Sequence, residues 1–281
     1  MRVCVSDEAL AKMLAEDVPH GDLTTEALGI GDQAARMIMS ARHAMCLCGS
    51  EEAARLIELA GGEVTGCVAS SARLAGGEVL LSARGSAASL HRAWKTAQTL
   101  VEYLSGIASA AADILQTLKQ AGFDLPLACT RKNFPGTRAL SVKAVQAGGA
   151  VAHRLGLSET LLVFPDHRVF VDNAALPARL AQLRRRAPEK KLVIEVATID
   201  EALHLAECGA DVLQLERFSP EELQACKEAV QSRGLHVLLA PAGGVTVQNA
   251  VAYARAGADF LVSSAPYFAP PRDVKVIFSR N

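Results

Sequence analysis

The sequence predicts an α/β protein with a small α+β unit at its N-terminus and a barrel of the TIM type after it. Three observations predict this. Half of the 281 residues are hydrophobic but only 4% are aromatic, so the apolar weight falls on Ala, Val, Leu and Ile, as in buried parallel strands under helices. Beyond residue 122, short apolar runs alternate with amphipathic stretches, the rhythm of β-α units with right-handed crossovers. Between residues 35 and 87 the pattern is instead short strands broken by glycines. A doubly wound open sheet is the competing architecture for the second half, since periodicity does not separate it from a barrel.

The elements follow in order. Residues 5–16 read as a short helix and 16–25 as a polar, turn-rich loop. Gly-Gly-Glu-Val occurs twice, at 61–64 and 76–79, each time as a turn into a strand, and a helix at 51–60 lies between the flanking strands. From 90 to 120 Trp94, Ala97, Val101, Leu104, Ala108 and Ile114 keep helical spacing, and Gly122 is the stop. Strands are then expected at 125–129, 160–164, 192–196, 212–215, 236–240 and 260–262. Helices are expected at 141–148, 176–186, 199–208, 220–232 and 247–256. The expected domains are 1–110 and 111–271, with a tail at 272–281 that returns to pack on the first.

Net charge is −1, which excludes recruitment of nucleic acid or membrane by bulk electrostatics. The longest uncharged run, 237–254, holds Pro241, Gly243, Gly244, Gln248 and Asn249 and is no membrane span. Seven cysteines without a C-x-x-C pair, and no charged-then-apolar leader, point to a reducing cytoplasm. Cys46 and Cys48 are expected to share one face of a strand as small hydrophobes and not as metal ligands.

The charge is unevenly spread: residues 1–120 carry 10 basic and 14 acidic groups, residues 121–281 carry 19 and 16. Much of the later excess falls in 130–168, where Arg131, Lys132, Arg138, Lys143, Arg154 and Arg168 stand with His153 and His167 against Glu159 and Asp166. Guanidinium forks match carboxylate and phosphate, so the segment reads as a seat for several anionic groups at a barrel mouth, where strands end. Glu195 and Glu216, at later strand ends, are candidates to hold a divalent cation or to stabilise a developing positive charge. Gly243-Gly244-Val245-Thr246 reads either as a tight turn or as a backbone anion seat with Thr246 capping the next helix; its late position favours the seat. A Schiff-base aldolase on Lys132 or Lys143 is a weaker alternative.

The run Thr130-Arg131-Lys132-Asn133-Phe134-Pro135-Gly136-Thr137-Arg138 and the run Gly148-Gly149-Ala150-Val151-Ala152-His153-Arg154-Leu155-Gly156-Leu157 resemble the quinolinate phosphoribosyltransferase family. So do the loop 16–25, Leu104-Ser105-Gly106-Ile107-Ala108, Gly243-Gly244-Val245-Thr246 and the order of all elements, so that the likeness covers essentially the whole chain. Ser158-Glu159-Thr160-Leu161-Leu162-Val163-Phe164 is most similar to the family's ModD branch, associated with molybdate transporters.

The resemblance implies an N-terminal α+β sandwich, an incomplete (β/α) barrel, and a homodimer in which each N-terminal domain covers its partner's barrel. It implies 5-phosphoribosyl-1-pyrophosphate as donor, Mg2+ on the pyrophosphate, and a small heteroaromatic acceptor. Arg131, His153 and Arg154 match the residues around the acceptor carboxylates, Lys132 a lysine that reaches the substrates, and Lys95 an arginine given by the neighbouring subunit. Arg138 joins the substrate-binding set. Glu195 matches the acid facing the ribose, and Glu195 and Glu216 are the expected Mg2+ ligands; Gly243 and Gly244 match the 5-phosphate loop, with Ser263 and Ser264 expected to join them at the phosphate. This sequence departs from the family pattern where Phe164 replaces a lysine, Glu216 an aspartate, Arg217 an asparagine, Ser264 a glycine and Phe268 a histidine. The lost cation argues against quinolinate as acceptor. The alternatives left are a non-catalytic oxyanion-binding protein and a true quinolinate phosphoribosyltransferase of NAD biosynthesis.

Overall fold

A computed structural model describes residues 2–280. In chain order the elements are α1 (Asp7–Asp17), α2 (Leu23–Ala27), β1 (Ala34–Ala41), β2 (Met45–Cys46), α3 (Ser50–Leu59), β3 (Glu63–Cys67), β4 (Arg73–Leu74), β5 (Val79–Ser86) and α4 (Ala87–Gln120). Then come β6 (Leu127–Cys129), α5 (Arg138–Ala147), β7 (Val151–Ala152), β8 (Leu161–Val163), α6 (Pro165–Arg168), α7 (Leu176–Arg186), β9 (Leu192–Val196) and α8 (Ile199–Glu207). The chain ends with β10 (Val212–Glu216), α9 (Pro220–Ser232), β11 (Leu238–Ala242), α10 (Ala250–Arg255), β12 (Leu261–Ser263) and β13 (Val274–Arg280).

Two compact units form. The first takes the chain up to Ala112, the segment Asn133–Gly149 and everything from Pro266 on; the second is Asp113–Lys132 with Ala150–Ala265. The boundary expected at residue 110 therefore falls inside α4, and α5, expected with the barrel, clusters with the first unit.

The first unit is built on an antiparallel sheet in the order β13-β1-β5-β3. Along β1 the residues Ala35, Met37, Met39 and Ala41 are buried and their neighbours are not, the period-2 pattern of a sheet with one covered face. Leu56 and Ile57 of α3 and Leu90 and Ala97 of α4 close that core. Both Gly-Gly-Glu-Val turns lead into strands, β3 and β5. The returning tail pairs with β1 from Ala41–Val274 to Ala35–Arg280. It is tied to α4 as well: Gln98 donates to the Val274 carbonyl (2.7 Å), and Glu102 accepts from the Val274 N–H (3.0 Å). Gly106 lets the tail pass, because a Cβ there would collide with the Pro270 carbonyl.

In the second unit every strand pairing is parallel, in two sheets ordered β11-β10-β9-β8 and β12-β6-β7. Ala128, Leu162, Val193, Val212, Ala240, Ala242 and Val262 pack between them. Asp259 links the sheets, its N–H donating to the Leu239 carbonyl and its carboxylate accepting from the Leu239 N–H. Among the described residues no ladder joins β7 to β8 or β11 to β12.

Single elements also depart from the sequence reading. The loop 16–25 contains the start of α2, capped by Asp22, whose carboxylate accepts from Thr25 N–H. β7 is an additional strand, only two residues long and flanked by Ala150 and His153, too short to show a period. The helix expected at 247–256 begins only at Ala250; before it Thr246 closes a turn, its carbonyl accepting from the Asn249 and Ala250 N–H groups and its own N–H donating to the Asn249 side chain. No helix among the described residues is long and apolar enough to cross a membrane.

Candidate active site

Parallel strands put their carboxyl ends on one rim, and the second unit uses that rim for its chemistry. Arg131 and Lys132 follow β6, His153 and Arg154 follow β7, and Phe164 follows β8. Glu195 lies in β9, Glu216 ends β10, Gly243 and Gly244 follow β11, and Ser263 and Ser264 close β12.

On the cationic side Arg154 is buried at 8% exposure, and its guanidinium sits 5.7 Å from the centre of the Phe164 ring. Burial, then the charge of Arg131, pulls its pKa below the ordinary arginine value. Burial and the nearby Arg154 likewise hold His153 below the usual histidine range, so its imidazole is neutral at pH 7. Phe164 also stacks on His167, with ring centres 5.8 Å apart and planes 20° from parallel; its N–H donates to His167 Nδ1 at 2.9 Å, so His167 carries its proton on Nε2 when neutral. Arg131, Arg154 and Phe164 together line one cavity of about 520 Å³.

On the acidic side, burial and then the charge of Glu216 raise the Glu195 pKa above the carboxylate range. A hydrogen bond from Gln214 Nε2 to Glu195 Oε2 (2.7 Å) and the charge of Lys132 oppose the rise, while Asp166 adds to it. Lys132 thus faces the acids as well as following Arg131 in sequence. The Glu216 carboxylate lies against Gly243, whose φ of +77° and lack of a Cβ both matter: a side chain there would strike Glu216. At Gly244, with φ +105°, nothing lies within 4 Å of a would-be Cβ, so the loop is open to solvent at that point.

The six cations of 130–168 do not form one seat. Lys143 is buried in the first unit, donating to Glu51 (2.9 Å) and Glu52 (2.5 Å). Arg168 donates to Glu201 (2.9 Å) and to the Glu195 carbonyl (3.1 Å). Arg138 begins α5 and Lys95 lies on α4, both in the first unit; Lys95 sits 5.2 Å from the Trp94 ring and donates to Gln98. Arg131, Lys132 and Arg154 have no carboxylate partner among the described residues. The helix start expected to assist Gly243 and Gly244 lies at Ala250, which leaves their backbone N–H groups as the donors there. Ser263 is buried, donating to the Val245 carbonyl (2.6 Å) and accepting from the Ala265 N–H, and Ser264 pairs with Thr130 at 2.7 Å.

Gln214 is the site residue that sequence reasoning missed. Its signal was available: period 2 puts it on the Glu216 face of β10, and the β10–β9 register sets it opposite Glu195. No group of three or more metal-ligating side chains occurs among the described residues.

Comparison with known proteins agrees with this geometry. The N-terminal domain of quinolinate phosphoribosyl transferase matches residues 22–105, and its C-terminal domain matches residues 107–276. The chain belongs to the quinolinate phosphoribosyltransferase family. Members of this family are pentosyltransferases. A relative from Rhodobacter capsulatus named "Putative pyrophosphorylase ModD" is 46% identical over 258 residues, covering 91% of this chain and 98% of that protein. A nicotinate-nucleotide pyrophosphorylase (carboxylating) of Mycobacterium leprae is 30% identical over 263 residues, covering 92% and 91%. Among solved structures, NadC from Streptococcus pyogenes aligns with a TM-score of 0.86 at 25% identity over 98% of this chain and 96% of that one. The nicotinate-nucleotide pyrophosphorylase of Francisella tularensis shares the fold, with a TM-score of 0.88 at 24% identity over 98% of each chain.

Proposed function

We propose that this family member transfers phosphoribosyl between pyrophosphate and a heteroaromatic acceptor less anionic than quinolinate. The observation that carries the reading is Arg154, buried beside Arg131 with no carboxylate partner. A desolvated cation in that position is a site that an anion completes. In the forward direction a ring nitrogen of the acceptor bonds to the anomeric carbon of 5-phosphoribosyl-1-pyrophosphate. The bond from that carbon to the pyrophosphate oxygen breaks, and pyrophosphate leaves with the electron pair. The pyrophosphorylase direction is the reverse. Arg131 and Arg154 hold the acceptor, Lys132 neutralises charge on the leaving group, and the backbone at Gly243 and Gly244 receives the 5-phosphate. Glu195 and Glu216 stand where positive charge develops on the ribose.

The paired carboxylates fit Mg2+ when a pyrophosphate supplies the remaining oxygens, since Mg2+ takes one or two carboxylates with substrate phosphates, and a cation relieves the repulsion that raises Glu195. Bound there, the ion would offset negative charge on the pyrophosphate. A homodimer with Lys95 serving the neighbouring barrel, and an association with molybdate transport or use, belong to this proposal and rest on the resemblance to the ModD branch.

Phe164 is the basis for excluding quinolinate. A lysine there would be a third cation beside Arg131 and Arg154, whereas the ring offers a stacking face and no charge. Isothermal titration with Mg2+ is expected to detect binding of 5-phosphoribosyl-1-pyrophosphate, and absence of binding overturns the transferase reading. Phe164→Lys is expected to raise quinolinate turnover, read by pyrophosphate release. No rise would mean that other positions exclude it.

A further inference from the structure

We infer that the acceptor is a heteroaromatic carboxylic acid with an apolar extension, and that the extension occupies the cavity lined by Phe164. The inference rests on the transferase reading and adds the substrate class. The cavity's volume of about 520 Å³ lies within the range of about 300–1,000 Å³ typical of sites for multi-ring ligands. One part of its wall is Arg131, Arg154 and Phe164; much of the rest is Val171, Leu176, Leu180 and Leu183. A compact pyridine dicarboxylate engages only the first part and leaves the aliphatic wall against water. A ligand with one carboxylate at the guanidinium groups, a ring on Phe164 and an apolar group among the leucines covers both.

The arginines of the wall are not equivalent. Arg154 and Phe164 already satisfy each other through the ring face, which leaves the guanidinium edges for one bidentate carboxylate. Arg168, which also lines the cavity, has both terminal nitrogens engaged by Glu201 and the Glu195 carbonyl, whereas Arg179 lines the wall beside Leu180 and Leu183.

Benzoate and 2-naphthoate test this as calorimetric probes of the full chain, each titrated with and without 5-phosphoribosyl-1-pyrophosphate and Mg2+. The second ring is expected to tighten binding by about tenfold. Leu183→Trp is expected to abolish that preference while leaving benzoate affinity within about twofold, since the new ring would fill the cavity and leave Arg131 and Arg154 in place. Val171→Trp, at another point of the wall, should do the same and serves if the first variant fails to fold by circular dichroism. Equal affinity for the two probes overturns the inference, as does an equal loss of both in the folded variants. If the naphthoate preference holds but the donor does not bind, the cavity assignment stands and the transferase reading falls. If the donor binds and the preference is absent, only the cavity assignment falls.

Discussion

Lys143 and Arg154 are both buried cations from one short stretch of chain, and they live in opposite electrostatic surroundings. Lys143, in the first unit, meets Glu51 and Glu52, and Glu52 in turn accepts from the Cys4 N–H. Burial alone would lower its pKa, yet the hydrogen bonds to Glu52 and Glu51 prevail and raise it, so its amine stays protonated and is no Schiff-base nucleophile. Arg154, in the second unit, meets an aromatic ring and another arginine, and its pKa falls. Equal burial therefore carries two meanings: a charge whose partner comes from the same chain is part of the architecture, and a charge without one is a binding site. Charge density along the sequence does not distinguish them.

The comparison is broken most directly at Arg154. Arg154→Met is expected to lower acceptor kcat/KM by about 30- to 4,000-fold, the range for losing a buried charged contact of about 2–5 kcal/mol. It should leave thermal stability unchanged or raised, because no carboxylate loses its partner. A matching drop in Tm would make Arg154 a structural residue like Lys143. The complementary change, Lys143→Met, leaves the buried Glu52 carboxylate without its cation and is expected to cost about 3–5 kcal/mol in urea unfolding. Adding Glu52→Gln to it should recover part of that loss; additive losses would mean that the pair is not coupled.

Stability against pH sharpens the same contrast. Burial would raise Glu51, but hydrogen bonds from Ser70 and Lys143 overcome it and hold the pKa at about 2, against an ordinary 4.5. The stability it contributes is present above pH 4.5 and is lost as pH falls toward about 2. Glu195 runs the other way. Its folded pKa is raised, so the ionised form costs stability above that pKa, and the cost is relieved as pH falls through it toward the ordinary value. Urea titrations across this range should show Glu51→Gln flattening the acid-side loss and Glu195→Gln removing the gain just above pH 4.5. Wild-type slopes in both variants would refute the assignments. The smallest expected effect is that of Gln214→Leu. Removing its hydrogen bond lets Glu195 rise further, which should move the acid limb of the pH–rate profile upward; an unmoved limb would detach Gln214 from the pair.

Much of the site was legible because strand ends are legible. Apolar runs located β6, β8, β9, β10, β11 and β12, and reading just past or at the end of each gave Arg131, Lys132, Phe164, Glu195, Glu216, Gly243 and Ser264. His153 and Arg154 came from the cation-rich segment 130–168, and only the family likeness gave them a role, because two-residue β7 has no periodic signal to mark a strand end. The late start of α10 was hidden for a different reason: residues 247–249 form a turn closed on the Thr246 carbonyl, which local propensity does not separate from a helical turn.

The sequence by itself determined the α/β class, the order of elements, the family, and the identities of the side chains at the strand ends, because all of these are written in short-range pattern and ordered motifs. Only the tertiary structure decided which charges find partners. It sent α5 and Lys143 to Glu51 and Glu52 in the first unit, engaged Arg168 with Glu201, set Gln214 against Glu195, and left Arg131 and Arg154 beside Phe164 at a leucine-walled cavity. The physical reason is that Coulomb energy and desolvation depend on distance and burial in space, and residues far apart in sequence supply both.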